Sequence, residues 1–240
     1  MKISVAMATY NGGKYIGKQL QSIIEQLDDN SEIIISDDGS TDNTISVIRS
    51  FNDKRIKVIY NPAKGVIKNF ENALRNATGD IIFLSDQDDE WMPGKVNLVK
   101  KYLEKYDFIV SDCFIVNDEG EILQNSIYSL KKSGAGIIKN LKSNNYVGCC
   151  MAFKKDILAV ALPFPQKIPM HDIWLGFIAD VLFKPRFITE KLVLYRRHSG
   201  NATYTSSKSG FNLYQKIKFR INIVRYLPLL LVRKMRISAK

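Results

Sequence analysis

Between Ile81 and Trp91 the chain reads Ile-Ile-Phe-Leu-Ser-Asp-Gln-Asp-Asp-Glu-Trp, with three aspartates and a glutamate in five consecutive positions after an apolar run. Like charges crowded at a strand end repel one another and cost stability, so the cluster asks for a counter-charge. Asp86 and Asp88, one residue apart, can both reach a hard divalent cation that also holds a substrate phosphate. Taken alone, an Asp-x-Asp is more often a solvated acidic turn. The other polar clusters of the chain favour the metal.

The elements that must position these side chains alternate strand and helix over the first 110 residues. Strands are expected at 3–8, 33–36, 56–60 and 81–84, and helices at 15–27, 43–51 and 66–76. Ile16, Leu20, Ile23, Ile24 and Leu27 fall on one helical face. Such repetition implies a mostly parallel sheet, and in such sheets ligands bind at the C-terminal ends of the strands. Thr9-Tyr10-Asn11-Gly12, Asp37-Asp38-Gly39, Asn61 and Asp86-Gln87-Asp88 all fall at such ends. No G-x-G-x-x-G follows the first strand and no G-x-x-x-x-G-K-[ST] is present, so a bound nucleotide would be held by metal and acidic side chains rather than a glycine cradle.

Beyond Asp112 the pattern is less regular. A hairpin is expected over 114–123, turning at Asn117-Asp118-Glu119-Gly120, and a small-residue strand over 149–153. Residues 126–145, rich in Ser, Lys, Gly and Asn, read as a mobile surface segment. A proline-bracketed loop delivers His171-Asp172-Ile173-Trp174 to a helix start, and a strand at 192–195 runs into Arg196-Arg197-His198.

With 240 residues, 45% of them hydrophobic, the chain can bury a substantial single core. Three cysteines, Cys113, Cys149 and Cys150, form no disulfide framework or zinc spacing and suit a reducing cytosol. Met1-Lys2-Ile3-Ser4-Val5 reads directly as a strand without a signal peptide, and no apolar run reaches the roughly 18 residues of a membrane span. The net charge of +11 is uneven: every acidic residue lies at or before Glu190, and 12 Lys and Arg follow it. A basic end on a near-neutral body suggests a local anionic surface and no nucleic acid. Over 211–237 apolar residues interleave with Lys216, Lys218, Arg220, Arg225, Arg233, Lys234 and Arg236, and Pro228 breaks the run. Two short basic amphipathic helices on an anionic membrane surface are expected. The competing reading packs this tail on its own domain or on a second subunit of a homodimer.

Val5-Ala6-Met7-Ala8-Thr9-Tyr10-Asn11, Asp37-Asp38-Gly39-Ser40-Thr41-Asp42, Ser85-Asp86-Gln87-Asp88-Asp89-Glu90-Trp91, His171-Asp172-Ile173-Trp174 and Arg197-His198 resemble the family-2 glycosyltransferases in order and spacing. The Ser-Asp-Gln-Asp-Asp-x-Trp form is similar to the bacterial rhamnosyltransferase-like branch. The resemblance covers residues 3 to 201. It implies an α/β GT-A fold with a Rossmann-like, mostly parallel central sheet flanked by helices. The domain would span 1–204, with a nucleotide-sugar half at 1–112, an acceptor half at 113–204 and a helical extension at 205–240.

The same resemblance implies an inverting hexosyltransferase with a nucleotide-diphosphate sugar donor, dTDP-rhamnose or a UDP-hexose. Ala8, Tyr10 and Asp38 would hold base and ribose. Asp86 would sit by the ribose and metal, Asp88 and His198 would bind Mn2+ or Mg2+, and Arg197 would lie near the diphosphate. Asp172 would be the catalytic base, with Trp174 stacking on an acceptor sugar. Many relatives carry Arg-Asn where this chain has Phe70-Glu71, so Lys64, Lys68 or Asn69 would substitute on the donor. The acceptor is expected to be a lipid-linked saccharide of bacterial surface polysaccharide, met by a cytoplasmic enzyme peripheral on the inner face of the membrane. The alternatives are a nucleotidyltransferase, which also pairs aspartates with Mg2+, and a non-catalytic membrane-surface protein acting through its tail. The absent glycine-rich phosphate loop and the later Asp172 and His198 clusters argue against the first, and the second leaves five separate polar clusters unexplained.

Overall fold

The structure, a computed structural model, describes residues 1–131, 133–142, 144–198 and 213–238. Its first part is the expected alternation: β1 (Ile3–Thr9), α1 (Ile16–Ile24), β2 (Glu32–Asp37), α2 (Thr44–Ser50), β3 (Ile56–Tyr60), α3 (Val66–Asn76) and β4 (Ile81–Asp86). A two-residue β5 (Glu90–Trp91), α4 (Lys95–Leu103) and the long β6 (Phe108–Val116) follow. Then come β7 (Ile122–Gln124), α5 (Ile127–Lys131), α6 (Ile137–Lys142), a 3-10 turn at Gly148–Cys150 and β8 (Met151–Lys154). The chain continues through α7 (Asp156–Ala161), α8 (His171–Leu182), β9 (Pro185–Arg196), α9 (Leu213–Val224) and α10 (Leu227–Ser238).

All of β1 and β2 is buried, and so are the first five residues of β4, as expected of strands covered by helices on both faces. The sheet runs β3-β2-β1-β4-β8-β6-β9-β5, with β7 on β6. Strands β1 to β4 are mutually parallel, and β6 is parallel to β9. β8 runs against β4 and β6, and β5 against β9. The sheet is therefore mixed but mostly parallel, as expected. The division at residue 112 falls inside β6, so both halves of the chain share one sheet.

The position of β5 dictates the shape of that sheet. It begins four residues after the end of β4, yet lies four strands away from β4 in the sheet order. Four strand spacings are about 19 Å in a flat sheet, whereas four extended residues reach at most about 14 Å. The sheet must curl until its β9–β5 edge returns to the C-terminal end of β4. That curl carries the end of β9, with Arg196 and His198, onto the Asp86–Glu90 loop.

Two expectations change. Residues 126–145 include α5 and α6. Asp112 starts the first of these, its Oδ1 accepting from the Ile127 and Tyr128 N–H groups at 3.0 and 3.2 Å. The tail does form two helices around Pro228, which occupies the first turn of α10 where its missing N–H is harmless. These helices pack on the domain: Ile223 and Leu230 are buried, and Tyr226 meets Trp174 edge-on with ring centroids 5.9 Å apart. No helix among the described residues is long and apolar enough to cross a membrane.

Candidate active site

The ends of β1, β2 and β3 form one side of the site. Asp38 accepts hydrogen bonds from Asn61 Nδ2 at 2.8 Å and the Gly65 N–H at 2.9 Å, tying the loop after β2 to that after β3. Asp37 is buried and accepts from the Gly39 and Ser40 N–H groups, both at 2.9 Å, so it shapes the turn that presents Asp38. Tyr10 is exposed, and Ala8 lies buried behind it. Between them and the acidic loop stands Gln87, whose Oε1 accepts from Thr9 Oγ1 and the Tyr10 N–H and whose Nε2 donates to the Tyr10 carbonyl. A Cβ at Gly12 would sit 2.2 Å from Gln87 Oε1, so a larger residue there would displace the Gln87 side chain from these bonds.

The acidic loop itself is braced from behind. Arg196, 3% exposed, donates from Nε to the Asp88 carbonyl at 3.1 Å and from Nη1 to the Asn117 and Asp118 carbonyls. Its Nη2 pairs with Glu90, and its N–H donates to Asp89 Oδ1 at 2.9 Å. His198 Nε2 lies 2.9 Å from Asp88 Oδ2, and the His198 ring stacks on Tyr15 with centroids 4.6 Å apart. Asp86 is pushed up to about 8 by burial of its carboxyl, then by the charges of Asp88 and Asp172. Asp89 is raised by its burial and by the charges of Asp88 and Asp86. Ligand atoms of Asp86, Asp89 and Cys149 fall within 4.8 Å of one another. Behind them Lys95, 1% exposed, donates to the Cys149 carbonyl, and burial pulls its ammonium below its ordinary value.

Asp172 enters from the first turn of α8, where the helix N-terminus favours a carboxylate. It is not the cap, because α8 already starts at His171. Its Oδ1 accepts from the Ile173 N–H at 2.7 Å and its Oδ2 from Asn144 Nδ2 at 3.3 Å. The neighbouring His171 stacks on Phe70 with centroids 3.9 Å apart, and burial lowers it to about 3. A Cβ at Gly148 would lie 3.1 Å from His171 Nε2, so this glycine lets the 3-10 turn close on the start of α8.

Two expected roles are changed by burial. Trp174 is fully buried, donates from Nε1 to the Ala161 carbonyl at 3.1 Å and packs on Tyr226, so it cannot stack on an acceptor sugar. Asn69 is 2% exposed and its Nδ2 donates to the Thr9 carbonyl at 3.0 Å, so it braces the end of β1 instead of touching the donor. Of the residues considered as substitutes for the Arg-Asn pair, Lys68 is paired with Glu71 at 2.7 Å. Of these, Lys64 reaches the Asp38 loop, its Nζ donating to the Asp38 carbonyl. Phe70 and Glu71 are structural, the first under His171 and the second holding Lys68, Arg75 and the Phe164 N–H. Arg197 donates from its backbone to the Val116 carbonyl at 2.8 Å, and its buried Nη2 has no hydrogen-bond partner among the described residues.

Gln87, Tyr15, Arg196 and Asn144 were not singled out from the sequence. Gln87 stood inside the acidic motif and Arg196 beside Arg197-His198, so proximity to the motifs was the available signal. Tyr15 and Asn144 carry none, because their roles come from loops that meet only in three dimensions.

Comparison with known proteins agrees with this architecture. The dTDP-rhamnosyl transferase RfbG of Shigella flexneri is 30% identical over 91% of this chain and 79% of its own. The GalNAc(5)-diNAcBac-PP-undecaprenol beta-1,3-glucosyltransferase of Campylobacter jejuni is 33% identical over 89% of this chain and 71% of its own. Among solved structures, S. aureus TarS in complex with UDP-GlcNAc superposes with a TM-score of 0.68 at 17% identity, covering 95% of this chain and 73% of that one. Glucosyl-3-phosphoglycerate synthase from Mycobacterium tuberculosis, in complex with Mn2+, UDP and phosphoglyceric acid, does so with a TM-score of 0.60 at 19% identity over 97% and 78%. At such identities the structures establish the shared GT-A-like fold. The profile described as "Glycosyl transferase family 2" matches residues 4–161, which hold the strand-end clusters and the acidic loop, and the chain belongs to that family.

Proposed function

We propose that this glycosyltransferase is metal-dependent and inverting, and that it moves a sugar from dTDP-rhamnose or a UDP-hexose to a hydroxyl of a lipid-linked saccharide. The observation that carries the reading is the convergence of Asp86, Asp88, His198 and Asp172, drawn from three distant stretches of the chain, beside the Asp38 loop. One carboxylate meeting an imidazole, with a second carboxyl raised by its neighbours, is a donor set suited to a divalent cation. Asp88 and His198 would hold that ion, and the imidazole tilts the choice toward Mn2+ over Mg2+. When bound, the ion supplies charge neutralisation for the departing diphosphate.

The remaining roles fall to the chain's own groups. Asp38 and Lys64 face the nucleoside, and Tyr10 offers an exposed ring to the base. Arg197 would direct toward the diphosphate its Nη2, which has no hydrogen-bond partner among the described residues. Asp172 takes the proton of the acceptor hydroxyl as its oxygen attacks the anomeric carbon and the bond to the diphosphate breaks. Asn144 and the start of α8 hold the carboxylate in place for that step.

The named activities of relatives support these substrate classes. One is named as a dTDP-rhamnosyl transferase and another acts on an undecaprenol-linked glycan. With an acceptor of this class the enzyme would work as a peripheral protein at the inner face of the cell membrane, in surface polysaccharide assembly. The test is a transfer assay with Mn2+ that pairs dTDP-rhamnose and the common UDP-sugars with undecaprenyl-diphosphate saccharides. One donor should yield a glycosylated lipid of inverted anomeric configuration. Transfer that persists in EDTA, or with retention of configuration, would overturn the reading.

A further inference from the structure

On the C-terminal helices Arg220 and Arg233 turn toward the domain, while a stripe of apolar side chains on each helix faces solvent. On α9, Tyr214, Ile217, Ile221 and Val224 recur at helical spacing and are 72%, 47%, 60% and 42% exposed. The inward side of α9 carries buried Ile223 and Arg220, whose guanidinium donates to the Leu141 and Lys142 carbonyls at the end of α6. On α10, Leu231, Val232 and Met235 are 47%, 41% and 64% exposed, while Leu230 is buried. The Arg233 guanidinium donates to the Val160, Ala161 and Pro163 carbonyls. A helix that only packs on its own domain has the opposite arrangement. Contiguous outward apolar stripes mark a surface meant to be covered.

We infer that the outward stripes of α9 and α10, together with the adjoining α6, form the docking surface of this enzyme for an anionic lipid bilayer. Charge selects that occupant. Lys218, Arg225 and Arg236 are exposed beside the stripes, and no acidic residue follows Glu190 in the sequence. Phospholipid headgroups of negative charge complement such a rim. A second copy docked face to face would set the same cations against one another. On α6, Ile138 is 85% exposed beside Lys139 and Lys142.

The inference rests on the proposed transfer to a lipid-linked acceptor and gives that transfer a geometry. Arg220 fixes α9 to Lys142, two residues before Asn144, and Asn144 holds Asp172. A bilayer seated on α9 and α6 would therefore present its anchored saccharide close to the carboxylate that must deprotonate it. The apolar stripes enter the headgroup boundary, and the cations lie at its surface.

The full chain should co-sediment with vesicles of phosphatidylcholine containing phosphatidylglycerol and much less with phosphatidylcholine alone. Tyr214→Glu combined with Ile221→Glu should lower partitioning by at least about tenfold, with the thermal midpoint and nucleotide binding unchanged. Equal sedimentation of the double variant, or none by the wild type, would overturn the proposal. So would a wild-type dimer in sedimentation velocity that the same variant dissolves, because the stripes would then belong to a second copy. Nucleotide-diphosphate binding with Mn2+, measured without vesicles, reports on the transferase reading separately.

Discussion

The Tyr15 ring stacks on the His198 imidazole, with centroids 4.6 Å apart and planes within 20°. Tyr15 is itself held by its hydroxyl, which donates to Asp118 Oδ1 at 2.7 Å, and Arg196 holds the Asp118 carbonyl. The imidazole beside Asp88 is thus oriented by α1 and by the β6–β7 turn, which lie far apart in the chain. Groups that orient a ligand side chain are typically worth about 10–100-fold in metal affinity. Tyr15→Leu should weaken Mn2+ binding within that range, measured by Mn2+ titration of nucleotide binding, while Tyr15→Phe, which keeps the stack, should lose less. Equal affinity in wild type and Tyr15→Leu would deny the ring any such role.

Asp86 gives the apo protein a pH signature. Its folded value is pushed up to about 8 by burial and by Asp88 and Asp172, far above an unfolded aspartate at about 3.9. The folded chain then holds a proton that the unfolded chain has released, so stability from this group falls as pH rises toward and through about 8. The buried His171 does not interfere above about pH 7, where it is neutral in both states. Without divalent cations the thermal midpoint should decline from about pH 7 to about pH 9, and Asp86→Asn should flatten that decline. A variant profile parallel to the wild type would assign the decline elsewhere.

Asp172→Asn keeps the shape of the side chain and removes its basicity. Transfer should fall by about 10²–10⁴, with the donor dissociation constant unchanged, as read by single-turnover kinetics beside calorimetry. A matching loss of donor binding would instead make Asp172 part of the donor site.

Trp174 belongs to stability rather than to acceptor recognition. It is fully buried, and its Nε1 is satisfied by the Ala161 carbonyl. Trp174→Ala should cost about 3–5 kcal/mol in denaturant unfolding. A variant with native stability and a raised acceptor KM would restore the stacking role.

What the sequence made legible follows from where each residue sits. The strand-end clusters could be read because a parallel sheet puts its polar exceptions at one end, and α3 matched its expected span of 66–76. The two-residue β5 could not, since no periodicity exists in Glu90-Trp91, yet its pairing with β9 sets the curl that brings His198 to Asp88. Trp174 was misjudged because closeness to Asp172 in sequence says nothing of the side of α8 it occupies, and that side faces α7 and Tyr226. The tail's periodicity revealed an apolar face without revealing which face the domain takes. The domain takes the side bearing Arg220 and Arg233, because guanidinium groups satisfy the open carbonyls at the ends of α6 and α7.

The central claim is that Asp88 and His198 bind a divalent cation that carries the donor's diphosphate. Calorimetry of UDP and dTDP binding, with Mn2+ and with EDTA, tests it most directly in the wild type and Asp88→Ala. The account predicts binding of at least one nucleotide that requires Mn2+ and is weakened by about 100-fold or more in Asp88→Ala. Nucleotide binding of equal strength in EDTA, or in Asp88→Ala, would contradict it.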